Sequence, residues 1–105
     1  MRAACRLVER SGGAVAISGA VDHLVAGRRL ALLGHGHPWL TQVTGAGCAL
    51  GALMAACVAC TADPLLAAAT ATAAYTVAAE RAAELSRRPG SLVPALLDEL
   101  ALLTP

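Results

Sequence analysis

The sequence predicts an α/β fold made mainly of helices, with one buried strand and a small hairpin, and three observations carry that expectation. Residues 14–18, AVAIS, are apolar without interruption, long enough for a strand and too short for a helix. Residues 21–25 (VDHLV) and 28–33 (RRLALL) flank Ala26–Gly27, the pattern of two short strands joined by a turn. From residue 46 onward the chain turns to alanine and leucine, with helix-start signals at Asp63–Pro64 and at Ser91. A strand apolar on both faces belongs inside a parallel sheet covered by helices. The remaining residues supply no parallel neighbours for it. The expectation is therefore the end of a larger α/β domain, with residues 1–105 as a single partial domain.

Residues 2–10 set Ala3, Leu7 and Val8 against Arg2, Arg6, Glu9 and Arg10, an amphipathic helix that stops at Ser11-Gly12-Gly13. The strand at 14–18 is followed by Gly19, and the hairpin by a loop, GHGHPWLTQ, marked by its glycines and proline. A helical pattern then runs from Ala46 to about Cys60. Asp63 offers a capping side chain and Pro64 the fixed dihedral of a first helical residue, so a second helix runs to about Ser86. Glu80, Arg81 and Glu84 mark its wet end. After RRPGS, Ser91 can cap a last helix striped by Leu92, Val93, Leu96, Leu97, Leu100 and Leu103, with Asp98 and Glu99 opposite.

Composition narrows the classes of function. Hydrophobic residues make up 57% of the chain, but alanine dominates them, and the aromatics are Trp39 and Tyr75 alone. Alanine buries little area, so such a core depends on close approach of helices. The eight basic residues, all arginine, face seven acids, for a formal charge of +1. That balance gives no electrostatic footprint for nucleic acid or for an anionic membrane. Residues 1–10 lack an apolar signal region, and four cysteines without one predict reduced thiols and a cytoplasmic setting. A membrane hairpin is the rival reading of the twenty uncharged residues from Val43 to Ala62, where Gly47 and Gly51 have the spacing of packed membrane helices. Few leucine-sized residues, no flanking aromatic or basic anchors, and Asp63 directly after the run favour a buried helix pair and no membrane.

The residues able to do chemistry gather at Gly45-Ala46-Gly47-Cys48. Two glycines let backbone N–H groups turn to one side, and the helix that follows adds its free first-turn donors and positive dipole end. Such a turn holds a phosphate or a developing phosphoryl anion. A glycine-rich helix start with a packing cysteine explains the same residues. Cys57 and Cys60 have C-x-x-C spacing, but both fall in the helical run without a second pair, so they read as core. His23, His35, His37 and Cys48 match no common zinc spacing, and no metal ligands are assigned. His35 and His37 read as loop residues, and Asp22 and Asp98 as solvated or capping. Ser18 stands at the C-terminal tip of the apolar strand, where α/β domains hold ligands, and equally where a turn-forming serine would stand.

Three stretches, AVAISGAVDHLVAGRR, GHPWLTQVTGAGCALGALMAACVA and RPGSLVPALLDEL, resemble the C-terminal portion of hydroxyethylthiazole kinase, a thiamine-salvage enzyme of the ribokinase-like fold. The most specific element is V-T-G-x-G-C, in which Cys48 takes the place that aspartate holds in many relatives of that fold. The resemblance covers nearly the whole chain. It implies a three-layer α/β fold and transfer of the γ-phosphoryl group of ATP, with Mg2+, to 4-methyl-5-(2-hydroxyethyl)thiazole. By that resemblance Gly45 contacts the thiazole, the backbone of Ala46, Gly47 and Cys48 forms the anion hole, and Cys48 sits at the catalytic-base position. Ser18, where the family has threonine or serine, contacts the nucleotide. The resemblance also implies a homotrimer. Family members are more than twice as long, and their N-terminal part carries most of the central sheet, much of the thiazole pocket and the acidic residues for magnesium. A non-catalytic fragment that needs a separate N-terminal half is the alternative. Ala46 and Leu92 depart mildly from the threonine and phenylalanine common in the family.

Overall fold

A short amphipathic helix begins the chain, and its end is set by a glycine. In the computed structural model, which describes residues 1–103, α1 spans Arg2–Ser11 and closes at Gly12. Gly12 adopts a left-handed φ of 69° and returns its N–H to the Val8 carbonyl at 2.8 Å. Ala4 and Val8 carry the buried face, while Leu7 points to solvent. The next segments form β1 (Ala14–Ile17), β2 (Asp22–Ala26) and β3 (Arg29–Leu33).

The three strands make one antiparallel sheet in the order β1-β2-β3. Ala14 pairs with Ala26 and Ile17 with His23, while Asp22 pairs with Leu33 and Ala26 with Arg29. The expected hairpin is β2–β3, turned by two residues with Gly27 at φ 58°. The 14–18 segment is a strand, but its expected burial in a parallel sheet is corrected. β1 lies at an edge with β2 as its partner, and Ala16 and Ile17 are exposed. The buried strand is β2. Successive side chains of a strand point to opposite faces, and Leu24, Val25 and Ala26 are all buried, so both faces of β2 are covered. Two helices pack on these strands, α1 on β1 and β2, and the long helix α3 (Pro64–Leu85) on all three.

Between sheet and helices, Pro38–Thr41 forms a single 3-10 turn, followed by α2 (Ala46–Val58). The cap expected at Asp63 is present: its Oδ1 accepts from the N–H groups of Leu65 and Leu66 at 3.0 and 3.3 Å. Arg29, at the start of β3, adds a two-pronged ion pair to the same carboxylate at 2.7 and 2.9 Å. This guanidinium and the two amides hold the Asp63 carboxyl well below the usual carboxylate range. The last helix, α4 (Leu92–Leu102), begins after Ser91. Ser91 occupies the capping position, but its side chain makes no capping bond. Instead its carbonyl accepts from Ser86 Oγ at 3.3 Å.

The core lies where α3 meets α4 and α2. Tyr75, Ala78, Ala79 and Ala82 of α3 close on Leu92 and Leu96 of α4, with Leu50 and Leu53 of α2 against them. Alanines at the contact let the helix axes come close. Of the stripe expected along α4, Leu92 and Leu96 are buried and Leu100 and Leu103 pack partly buried against the core, while Val93 and Leu97 face out. The expected pair of fully buried helices is corrected as well. α3 has nine buried residues and α2 has none. Cys57 is half-buried and Cys60, past the end of α2, is exposed, so the C-x-x-C pair is not core. Among the described residues no helix is long and apolar enough to cross a membrane.

Candidate functional site

Gly19, Gly34, Gly36 and Gly47 line one cleft of about 590 Å³. Its walls are the turn after β1, the loop after β3, the first turn of α2, and Tyr75 and Thr76 of α3. Each wall is fixed by a specific bond. After β1, the Gly19 N–H donates to Asp22 Oδ1 at 3.0 Å, so the buried Asp22 side chain closes the loop that carries Ser18. After β3, the Gly36 N–H donates to Glu80 Oε1 at 2.8 Å, and His35 Nδ1 approaches the same oxygen at 3.4 Å. Gly36 has φ 119°, which L residues rarely adopt, so this position needs glycine for its conformation, although a Cβ there would meet Thr76 Cγ2 at an ordinary contact distance of 3.6 Å. The Gly36 amide, with help from His35, holds the Glu80 carboxyl below its ordinary range. His37 Nδ1 accepts from the Trp39 N–H at 3.2 Å and starts the 3-10 turn.

The fourth wall is the start of α2. Gly45 takes the left-handed φ of 86° that the turn requires, and no side chain caps the helix. The first helical bond is Ala49 N–H to Gly45 O at 2.9 Å. Among the described residues the N–H groups of Ala46, Gly47 and Cys48 have no hydrogen-bond partner. Ala46 and Gly47 line the cleft, and a Cβ on Gly47 would meet no atom within 4 Å, so the space beside its backbone is open. The Tyr75 hydroxyl donates to the Ala46 carbonyl at 2.8 Å and ties this turn to α3. Burial raises the Tyr75 phenol above its ordinary range, so it remains a donor through neutral pH.

The structure brings Ser18, Ala46 and Gly47 to one cleft from opposite ends of the segment. Gly45 and Cys48 flank it without lining it, and Cys48 is exposed. Each residue of a helix is turned about 100° from the last, so Gly47 and Leu50 share the cleft face and Cys48 turns away from it. Of the solvated or capping role expected for Asp22, the capping part is present and the solvated part is corrected, since the side chain is buried against the Gly19 amide. Sequence reasoning missed the parts played by Tyr75, Thr76 and Glu80. A lone tyrosine in an alanine helix was the available signal, because a buried phenol needs a partner. Thr76 and Glu80, four apart on α3, were a second one.

Asp22 is the one carboxylate on the cleft wall, and its Oδ1 is already taken by Gly19. Among the described residues no three His, Cys, Asp or Glu side chains converge as a metal site. The donor set on this segment therefore does not fit a magnesium ion, whose octahedral shell needs several oxygens.

The model of the hydroxyethylthiazole kinase family matches residues 1–105. A hydroxyethylthiazole kinase of Clavibacter sepedonicus is 52% identical over 103 residues, covering 98% of this chain and 38% of that protein. One from Cutibacterium acnes is 50% identical over 105 residues, again 38% of its own length. The solved structure of a hydroxyethylthiazole kinase protein from Pyrococcus horikoshii OT3 superimposes with a TM-score of 0.90 at 36% identity. That match covers 99% of this chain and 41% of the other. The chain thus spans about two-fifths of the length of the relatives it matches. Its sheet and helices are a fragment of a ribokinase-like α/β fold.

Proposed function

The chain belongs to the hydroxyethylthiazole kinase family, and from that premise we propose that it is the phosphoryl-binding part of a kinase acting on 4-methyl-5-(2-hydroxyethyl)thiazole. The observation that carries this reading is the uncapped start of α2, whose free donors border a cleft that also holds Ser18. In this reading residues 1–105 are one partial domain, working in the cytoplasm within a protein that assembles as a homotrimer. ATP is the co-substrate, and Ser18 contacts it. The ligands for Mg2+ lie outside residues 1–103, and nothing below depends on them.

The substrate hydroxyl attacks the γ-phosphorus of ATP: a new oxygen–phosphorus bond forms, the bond to the bridging oxygen breaks to leave ADP, and the hydroxyl proton passes to the transferred phosphoryl group or to water. Charge spreads over the three equatorial oxygens as this happens. The N–H groups of Ala46, Gly47 and Cys48 are already oriented, so they stabilise that charge without rearrangement; losing one such donor from an oxyanion hole costs roughly 3–4 kcal/mol. Gly45 contacts the thiazole, where a side chain would intrude. Cys48 stands at the base position, its side chain on the face of α2 turned away from this cleft, so in this reading the alcohol approaches the turn from that other side. A thiol has little driving force to deprotonate an alcohol, so its main part is to orient the hydroxyl.

Two variants of the complete kinase carrying this segment test the proposal. Cys48→Ala is expected to lower kcat roughly 100-fold while changing ATP binding little. Gly47→Val fills open space rather than protein, so it should fold and yet lose ATP-dependent turnover. Unchanged turnover in both would sink the reading. A second reading, a piece that is inactive until a separate N-terminal half completes it, is favoured by the unpaired outer edge of β1. It predicts no phosphorylation by the 105-residue chain alone, and activity once that half is added.

A further inference from the structure

Tyr75 is 2% exposed, and its ring sits among the alanines and leucines of the core. Phenylalanine would fill the same space, so the hydroxyl calls for an account of its own. That hydroxyl reaches 2.8 Å to the carbonyl of Ala46, the first residue of α2. The Ala46 carbonyl and the Gly47 N–H belong to one peptide unit, and that unit is planar. A bond that fixes the carbonyl therefore fixes the direction of the Gly47 N–H, which lies across the same plane. A donor on the carbonyl also polarises the peptide and strengthens the N–H at its other end. No side chain at Gly45 does this work from the near side of the turn. Thr76, the next residue of α3, lines the cleft, so the phenol reaches the turn from the helix that forms the cleft's floor.

We propose that Tyr75 is a positioning residue for phosphoryl transfer: its hydroxyl holds the Ala46–Gly47 peptide so that the Gly47 N–H is aimed at the transferring group. The proposal rests on reading that turn as the anion hole, and it adds the residue that sets the hole's geometry from 29 positions away.

Tyr75→Phe tests it, because the substitution keeps the ring and removes the O–H. In the 15N-labelled complete kinase carrying this segment, added ATP should shift the Gly47 amide resonance. In Tyr75→Phe the same shift should need about tenfold more ATP, the loss expected for one hydrogen bond. The complete kinase carrying the variant should lose about tenfold in kcat, with KM for the thiazole alcohol within about twofold. A folded variant with wild-type ATP response and wild-type kcat overturns the proposal. So does a uniform loss at every cleft amide, Gly36 included, that tracks a lower melting temperature, since that is a packing effect. If ATP fails to move Gly47 even in the wild type, the anion-hole reading falls. Amide exchange at Leu50, the helical donor to the same Ala46 carbonyl, then decides the geometric claim. Exchange about tenfold faster in Tyr75→Phe supports the brace, and unchanged exchange removes it.

Discussion

α2 and α3 are neighbours in sequence and similar in composition, yet their starts are built in opposite ways. α3 opens on Asp63, whose carboxylate takes two backbone N–H groups and a guanidinium. α2 opens on Gly45, which offers no side chain, and among the described residues its first three N–H groups have no partner. Their flanks differ as much. α3 is enclosed by the sheet, α2 and α4, with nine residues buried, whereas α2 touches α3 along one side and has none. A helix whose ends are satisfied within the protein is a structural beam. One whose first donors stay free at a cleft is suited to a ligand. Alanine content alone does not distinguish them.

The largest stability effect should come from testing enclosure. Ala79 of α3 is completely buried, and Ala52 of α2 is exposed. Ala79→Leu forces three more carbons into packed alanines and should cost about 1–3 kcal/mol in urea unfolding. Ala52→Leu should change stability by less than about 0.5 kcal/mol, as a surface substitution does. Equal losses would mean that α2 is as enclosed as α3, and the contrast would collapse.

The next effect tests the two starts. Gly45→Ala places a Cβ at φ 86°, a strain of about 1 kcal/mol for an L residue, although no neighbouring atom blocks it. The cost should therefore appear as fraying of α2, seen as faster amide exchange at Ala49 and Leu50, with α3 unaffected. Asp63→Ala should do the reverse, loosening the first turn of α3 and freeing Arg29 while α2 keeps its exchange rates. Exchange that rises in both helices for either variant would show one cooperative unit rather than two separately built starts.

What could be read from the sequence follows from how local each signal is. The stop of α1 at Gly12, the β2–β3 turn at Gly27 and the cap at Asp63 are each decided by residues within a turn of one another, and all three were legible. The place of β1 was not, because an apolar run tells that a strand can be buried and not which neighbour pairs with it. The bare side of α2 was invisible for a related reason. Its residues are apolar all round, so no periodicity marks a face. The uncapped turn that opens α2 was legible from Gly45-Ala46-Gly47, since the glycines state their own backbone demand. Its supports were not, because Tyr75 meets Ala46 across 29 residues and Glu80 meets Gly36 across 44.

Glu80 gives the smallest of these effects, and it separates the two kinds of cleft wall by pH. The Gly36 amide and His35 hold its carboxyl below the ordinary glutamate value, so the folded state releases this proton more readily than the unfolded one does. A depressed carboxylate contributes stability that is present above its ordinary value and is lost as the pH falls through its folded value. The loop from Gly34 to His37 should therefore loosen only in acid, below the ordinary glutamate range. The Gly36 amide shift, followed by NMR, should step there as its acceptor is protonated, and Glu80→Gln should abolish the step. Among the described residues the amides of Ala46, Gly47 and Cys48 have no carboxylate partner, and they should show no such step. A matching transition at those amides would mean that a carboxylate reaches the start of α2, and its donors would no longer be free for a phosphoryl group.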